Sequence, residues 1–173
     1  MSKKTDNKNI ILIGFMGVGK GTTARAIVKA TDMYAIDTDD LIESLENTKI
    51  KKIFEAQGEP YFRSLENKTA KWLEQNVSNS IISTGGGFYK VENLKKIGTV
   101  IYLKSSFDAI LDKILASPNA KKKIKKRPLL NDKKKAKELF NLRTKEYNNV
   151  ADIVVDIENK TSDEIVKTIL ESI

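Results

Sequence analysis

Gly14-Phe15-Met16-Gly17-Val18-Gly19-Lys20-Gly21-Thr22 is the stretch of this chain best suited to chemistry. Glycines let the backbone curl so that its N–H groups converge on phosphate oxygens. A helix opening at the end of such a curl adds unpaired N–H groups and a positive dipole end. Lys20 supplies a point charge for the β and γ phosphates of a nucleotide. The stretch reads as a phosphate cradle for ATP, contacted through Gly17, Val18, Gly19, Lys20, Gly21 and Thr22. One position departs from the usual pattern. A Ser or Thr normally follows the lysine, where its hydroxyl reaches Mg²⁺; here Gly21 stands there and the hydroxyl comes one residue later, at Thr22. Gly21 cannot ligate through a side chain, so Mg²⁺ is expected on ATP phosphates, water and a carboxylate, with a Thr22 contact left open.

Four further clusters follow in order. Asp37-Thr38-Asp39 ends an apolar run, where open α/β sheets bind ligands; the alternative is that Asp39 or Asp40 caps the next helix. In Phe62-Arg63-Ser64-Leu65-Glu66, Arg63 and Glu66 are three apart on one helix face, so the carboxylate can hold the guanidinium. Ser83-Thr84-Gly85-Gly86-Gly87 strips away side chains so that a ligand can approach backbone N–H groups. Last comes Lys126-Arg127-Pro128-Leu129-Leu130, with Arg143 and Tyr147 in the helix beyond. Lysine runs are usually solvated surface; an Arg-Pro-Leu-Leu in a long loop is more specific.

The elements that must position these residues are legible as well. Asn9–Gly14 is a nearly continuous apolar run ending in glycine, as a buried parallel strand should be. Further strands are expected over Met33–Asp37, Ser80–Thr84, Thr99–Leu103 and Ala151–Ile157. Helical spacing marks Thr22–Thr31, then Leu41, Ile42, Leu45, Ile50, Ile53 and Phe54. Pro60 is placed near the first turn of a further helix that turns Phe62, Leu65, Thr69, Trp72 and Leu73 to one side. Phe107, Ile110, Leu111, Ile114 and Leu115 mark one helix, and Ile165, Val166, Ile169 and Leu170 the last. Strands alternating with helices give an α/β fold with a five-stranded parallel sheet flanked by helices. Residues 38–76 are too long and helical for an ordinary crossover and read as an insert; residues 117–132 lack apolar periodicity and read as a mobile loop.

Composition narrows the chemistry further. With 173 residues the chain fits one domain that can bury its own core. There is no cysteine, hence no disulfide or thiolate site, and no histidine, so acid–base work falls to carboxylates, Lys, Tyr or water. The apolar runs are too short to span a bilayer, and Met1–Lys8 reads as a polar, frayed tail rather than a signal peptide. A net charge of +8 suits nucleic acid, small anions, or no partner at all. Single-strand binding wants aromatics along the basic run, and Lys121–Arg127 has none.

Taken together in this order, the motifs from the cradle to Arg143 resemble shikimate kinase over about residues 9–172. The Gly-Lys-Gly-Thr ending of the cradle resembles adenylate kinases instead, so an adenylate-type nucleotide kinase is the alternative. The resemblance implies a P-loop, nucleoside-monophosphate-kinase-like fold with core residues 9–37, 77–116 and 133–173, a substrate-binding insert about 38–76 and a lid about 117–132. It implies ATP-dependent phosphorylation of the shikimate 3-hydroxyl by a cytoplasmic monomer without nucleic-acid or membrane partners. By the same resemblance Asp39, Arg63, Gly86, Gly87 and Arg143 hold shikimate, and Phe54 and Phe62 wall its ring. Asp37 contacts Mg²⁺ through water with Ser83 near that shell, Arg127 swings in against the phosphates, and Lys160 lies near the adenine. Lys20, Asp39 and Arg127 are the implied catalytic groups.

Overall fold

A computed structural model describes residues 9–125 and 127–173. The reading of Met1–Lys8 as a tail, and Lys126 within the basic run, lie outside the described residues. Five parallel strands form one sheet: β1 (Ile10–Ile13), β2 (Tyr34–Asp37), β3 (Ser80–Ser83), β4 (Thr99–Lys104) and β5 (Ile153–Asp156), in the order β2-β3-β1-β4-β5. All four side chains of β1 are buried, as its unbroken aliphatic run requires of a central strand covered on both faces. Each contributes about 1.5–3 kcal/mol by leaving water. Asn9 fixes the start of β1: its side chain donates to Val77 O (2.8 Å) and Ile97 O (2.9 Å) and accepts from Ser80 N (2.9 Å).

Helices cover both faces. They are α1 (Lys20–Ala30), α2 (Thr38–Glu46), α3 (Ile50–Asn76), α4 (Leu94–Ile97), α5 (Phe107–Leu115), α6 (Ala120–Lys125), α7 (Lys133–Val150) and α8 (Ser162–Glu171). Gly58, at φ 78°, breaks α3 into two segments, and Pro60 sits in the first turn of the second, as expected. Ile42, Ile53, Phe62 and Leu65 form a small core of their own between α2 and α3, apart from the main core on the sheet.

The register aims the site. Ser83 pairs with Leu12 on one side and Asp37 on the other, so the C-terminal ends of β1, β2 and β3 finish together. The crevice beyond those ends, where the chain order reverses about β1, is the binding position of an open α/β sheet.

Several local expectations need correction. Trp72 does not share the buried side of α3: Phe62, Leu65, Thr69 and Leu73 are buried, while Trp72 is 46% exposed, although it lies only about 20° around the helix from Leu65; Leu65, two turns earlier, is covered by the small core of Ile42, Ile53 and Phe62. Leu45 and Leu115, each in the last turn of its helix, are also exposed. Residues 117–132 are not plain loop. They hold α6 and a 3₁₀ turn, Pro128–Asn131, whose Leu130 is buried in the main core; lysine is a good helix former even without an apolar stripe.

Candidate active site

Beyond Ile13 the chain turns through Gly14, Gly17 and Gly19, all at positive φ (148°, 84° and 113°). Gly19 is the left-handed N-cap of α1, a conformation that a side chain disfavours. α1 therefore opens at Lys20, two residues ahead of the expected start, and aims its free N–H groups into the cradle. The Lys20 ammonium donates to Gly14 O (2.7 Å) and Phe15 O (3.1 Å) and is almost wholly buried. Burial lowers its pKa to about 8; Asp39 opposes the drop, and the charges of Arg127 and Arg143 add to it. Arg127, near the end of the 117–132 segment, is therefore within electrostatic reach of the cradle. Its Nη1 donates to Lys123 O at 3.0 Å, and burial pulls its own pKa down.

On the outer flank of the cradle a cleft of ≈ 490 Å³ runs between Val18, the start of α5 and the loop after β5. Lys160, the residue expected near the adenine, lines it together with Ser106, Asn159 and Lys113. Lys113 was not anticipated. Its Nζ lies 3.2 Å from the point where a Cβ on Gly19 would sit, and nothing in the apolar spacing of α5 distinguishes it from a solvated lysine.

On the inner flank lies a second chamber, built from residues far apart in sequence. Asp39 stands in the first turn of α2, and the cap of that helix is neither Asp39 nor Asp40 but Asp37, whose Oδ1 accepts from Asp39 N (2.9 Å) and Asp40 N (3.4 Å). The Asp39 carboxylate is thus spared capping. Its Oδ1 is buried without a hydrogen-bond partner among the described residues, 2.6 Å from where a Cβ on Gly85 would be. Burial pushes Asp39 up to about 7, the nearby Asp37 charge adds to this, and Lys20 opposes it.

The glycine run forms the chamber floor. A Cβ on Gly86 would meet Arg143 Nη1 at 3.0 Å, and a Cβ on Gly87 would collide with the Arg63 guanidinium. Arg63 is held from two sides: Nη1 donates to Glu66 Oε2 (2.5 Å), and Nε and Nη2 donate to Glu59 Oε1 (3.1 and 2.9 Å). Glu66 is 2% exposed and burial raises its pKa, against the pull of Arg63. Glu59 was missed in the sequence, although its i,i+4 spacing to Arg63 on one helix is a readable signal. Phe54 and Phe62 pack with ring centroids 4.6 Å apart beside Arg63. Arg143 Nε is buried and unpartnered among the described residues, like Asp39 Oδ1. The two orphaned atoms stand beside neighbouring glycines: Asp39 Oδ1 can accept from a ligand hydroxyl, and Arg143 can donate to a ligand anion.

Asp37, Ser83 and Thr22, the residues expected near a metal, stand about the cradle. Among the described residues no group of three or more His, Cys, Asp or Glu gathers around one point; Mg²⁺ keeps several waters and takes one or two carboxylates plus phosphates. Asp37 and Ser83, paired across β2 and β3, border the cradle; Ser83 Oγ lies 4.0 Å from where a Gly21 Cβ would sit. Thr22 is exposed, and its hydroxyl accepts from Arg25 Nη2 at 3.5 Å.

The chain as a whole is similar to known proteins. A family model described as shikimate kinase matches residues 16–173. A shikimate kinase from Sulfurihydrogenibium sp. is 39% identical over 171 residues, covering 96% of this chain and 98% of that protein; one from Helicobacter hepaticus is 37% identical over 149 residues, covering 86% of each. Among solved structures, shikimate kinase from Acinetobacter baumannii in complex with shikimate superposes with a TM-score of 0.83 at 29% identity, covering 96% of this chain and 92% of that one. Shikimate kinase from Aquifex aeolicus gives 0.74 at 35% identity, covering 95% and 94%.

Proposed function

The chain belongs to the shikimate kinase family and catalyses the ATP-dependent phosphorylation of shikimate in aromatic amino acid biosynthesis; from that premise we propose how its two flanks divide the reaction. The adenylate-type ending at Gly21 is then a local departure within the family, and the nucleotide-kinase alternative falls away. The cradle binds the triphosphate: Lys20 exchanges the Gly14 and Phe15 carbonyls for phosphate oxygens, so that the ammonium meets an opposite charge instead of a neutral acceptor. The adenine occupies the cleft beside Val18 and Lys160, with Lys113 at its edge.

The inner chamber takes shikimate. Arg63 and Arg143 grip its carboxylate, because a guanidinium fork matches two carboxylate oxygens. The N–H groups of Gly86 and Gly87 and the walls of Phe54 and Phe62 fix the ring. Asp39 receives the proton of the 3-hydroxyl as that oxygen bonds to the γ phosphorus and the bond from phosphorus to the ADP oxygen breaks. Such transfer is governed by positioning and charge compensation, and Lys20 and Arg127 supply the compensating charge. When bound, Mg²⁺ neutralises charge on the phosphates; Asp37 through water and Ser83 in the outer shell would hold it, with Thr22 as a further candidate.

The observation that carries the proposal is the Asp39 carboxylate: half-buried, with its Oδ1 covered and unpartnered among the described residues, and raised to about 7, it stands between the Lys20 cradle and the arginine chamber. Residues 38–76 serve as the substrate-binding insert and 117–132 as the lid carrying Arg127, whose closure would exclude water from the γ phosphate. We further propose that the protein acts as a monomer in the cytoplasm, without nucleic-acid or membrane partners. Among the described residues no helix is long and apolar enough to cross a membrane. The test is an ADP-release assay offering shikimate, AMP and gluconate separately. Only shikimate should support turnover; equal rates with AMP would overturn the assignment.

A further inference from the structure

Tyr147 follows Arg143 by one turn of α7 and is buried at 1% exposure. Its hydroxyl donates to Gly86 O at 2.6 Å, across 61 positions of sequence. The ring stands edge-on to Tyr89 (centroids 4.8 Å apart) and tilted against Tyr102 (5.1 Å). Tyr89, just past the glycine run, donates through its own hydroxyl to Glu146. Consecutive residues of α7 are thus bonded to both ends of the Gly86–Tyr89 segment.

We propose that Tyr147 is a positioning residue for shikimate, its hydroxyl setting the Gly86–Gly87 peptide and the seat of Arg143 above it. This rests on the reading that Gly86, Gly87 and Arg143 hold the substrate. The argument is elementary peptide geometry. There is no cis bond among the described residues, and in a trans peptide the carbonyl of one residue and the N–H of the next point in opposite directions. Holding the Gly86 carbonyl toward α7 therefore turns the Gly87 N–H away from it. No carbonyl or side chain of the described residues accepts from that N–H, so it is left as a donor for a ligand. Two consecutive glycines have little torsional preference of their own, and without the tyrosine bond this peptide is free to rotate. The same bond brings α7 against the loop, which sets Arg143 Nη1 directly over Gly86.

Tyr147→Phe tests this while keeping the ring in its stack. The KM for shikimate, and its Kd by calorimetry, should rise about fivefold to tenfold for the loss of one hydrogen bond, while the KM for ATP changes less than about twofold. Tyr102→Phe removes a hydroxyl from the same stack without touching the loop, and should leave both KM values unchanged even if it lowers the melting temperature. A Tyr147→Phe enzyme with wild-type shikimate KM, a parallel rise in both KM values, or an equal effect from Tyr102→Phe each overturns the proposal. Arg143→Ala separates the two levels of the argument. If it loses shikimate binding while Tyr147→Phe does not, only the role of Tyr147 fails; if it binds shikimate normally, the site assignment fails and this proposal with it.

Discussion

Asp39 Oδ1 lies 2.6 Å from the point that a Cβ on Gly85 would occupy, so the first glycine of the run is there to admit a carboxylate. The φ of Gly85 is not in the left-handed region, which leaves contact with Asp39 as the cost of a side chain. Gly85→Ala should push the carboxylate off its position and lower kcat by about 100-fold, the scale of a displaced catalytic group. The melting temperature should shift little. Steady-state assay beside a thermal melt checks both, and an alanine variant with wild-type kcat would deny Asp39 its role.

Asp39 and Lys20 together predict a narrow pH window. Asp39 ionises at about 7 and Lys20 loses its proton at about 8 in the unliganded protein. Since kcat/KM reports the free enzyme, it should rise through about 7 and fall above about 8. Asp39→Asn should abolish most activity, and in Lys20→Met the falling limb should vanish from whatever activity remains. A profile flat from pH 6 to 9 contradicts the pairing.

The same carboxyl makes stability depend on pH. Its folded pKa stands above the unfolded value of 3.8, so the folded state holds a proton that the unfolded state has released. Stability from this group is lost as pH rises from about 4 to about 7, and above that the buried charge opposes folding. Asp39→Asn should therefore melt higher than the wild type at pH 8, by about 4 °C or more, and near the wild type at pH 4. Identical shifts at both pH values would mean that the carboxyl is not buried as described.

Arg63 is fixed by Glu59 and Glu66, and its fork matters as much as its charge. Arg63→Lys should raise the shikimate KM by at least about tenfold while leaving ATP binding nearly intact. Arg63→Ala should add a loss of stability, because Glu66 at 2% exposure would lose its partner; breaking a buried pair costs about 3–5 kcal/mol. Calorimetry with each ligand and a denaturant series separate the two effects, and equal loss of nucleotide and shikimate binding would refute the role given to Arg63.

Gly21 leaves room for the hydroxyl that it lacks. A Cβ there would meet Arg25 Nη1 at 3.5 Å and Ser83 Oγ at 4.0 Å, both ordinary contacts. Gly21→Ser should lower the Mg²⁺ concentration for half-maximal turnover severalfold and tighten ADP binding with Mg²⁺ present but not in its absence. Calorimetry of ADP with and without Mg²⁺ provides a measure independent of turnover; unchanged Mg²⁺ dependence would show that water and carboxylate already complete the shell.

The sequence by itself determined whatever depends on neighbours along the chain. Gly14 to Thr22 carries its own turn chemistry, so the cradle and the helix behind it could be read directly, and the all-apolar run of β1 announced a strand buried on both faces. The Arg63–Glu66 pair was legible because three residues on a helix share a face, and Glu59 could have been found by the same rule. Tertiary structure decided the rest. Asp39 with Gly85, Arg63 with Gly87, Arg143 with Gly86 and Lys113 with Gly19 meet only because parallel pairing ends β1, β2 and β3 together and brings helices from distant segments over the glycine loops. Side-chain exposure on α3 was decided there too, since periodicity gives a direction around a helix but not which neighbours arrive to cover it, and Trp72 was left outside. The displaced pKa values of Asp39 and Lys20 belong to the same level: they arise chiefly from burial by residues far away in sequence, which no local pattern records.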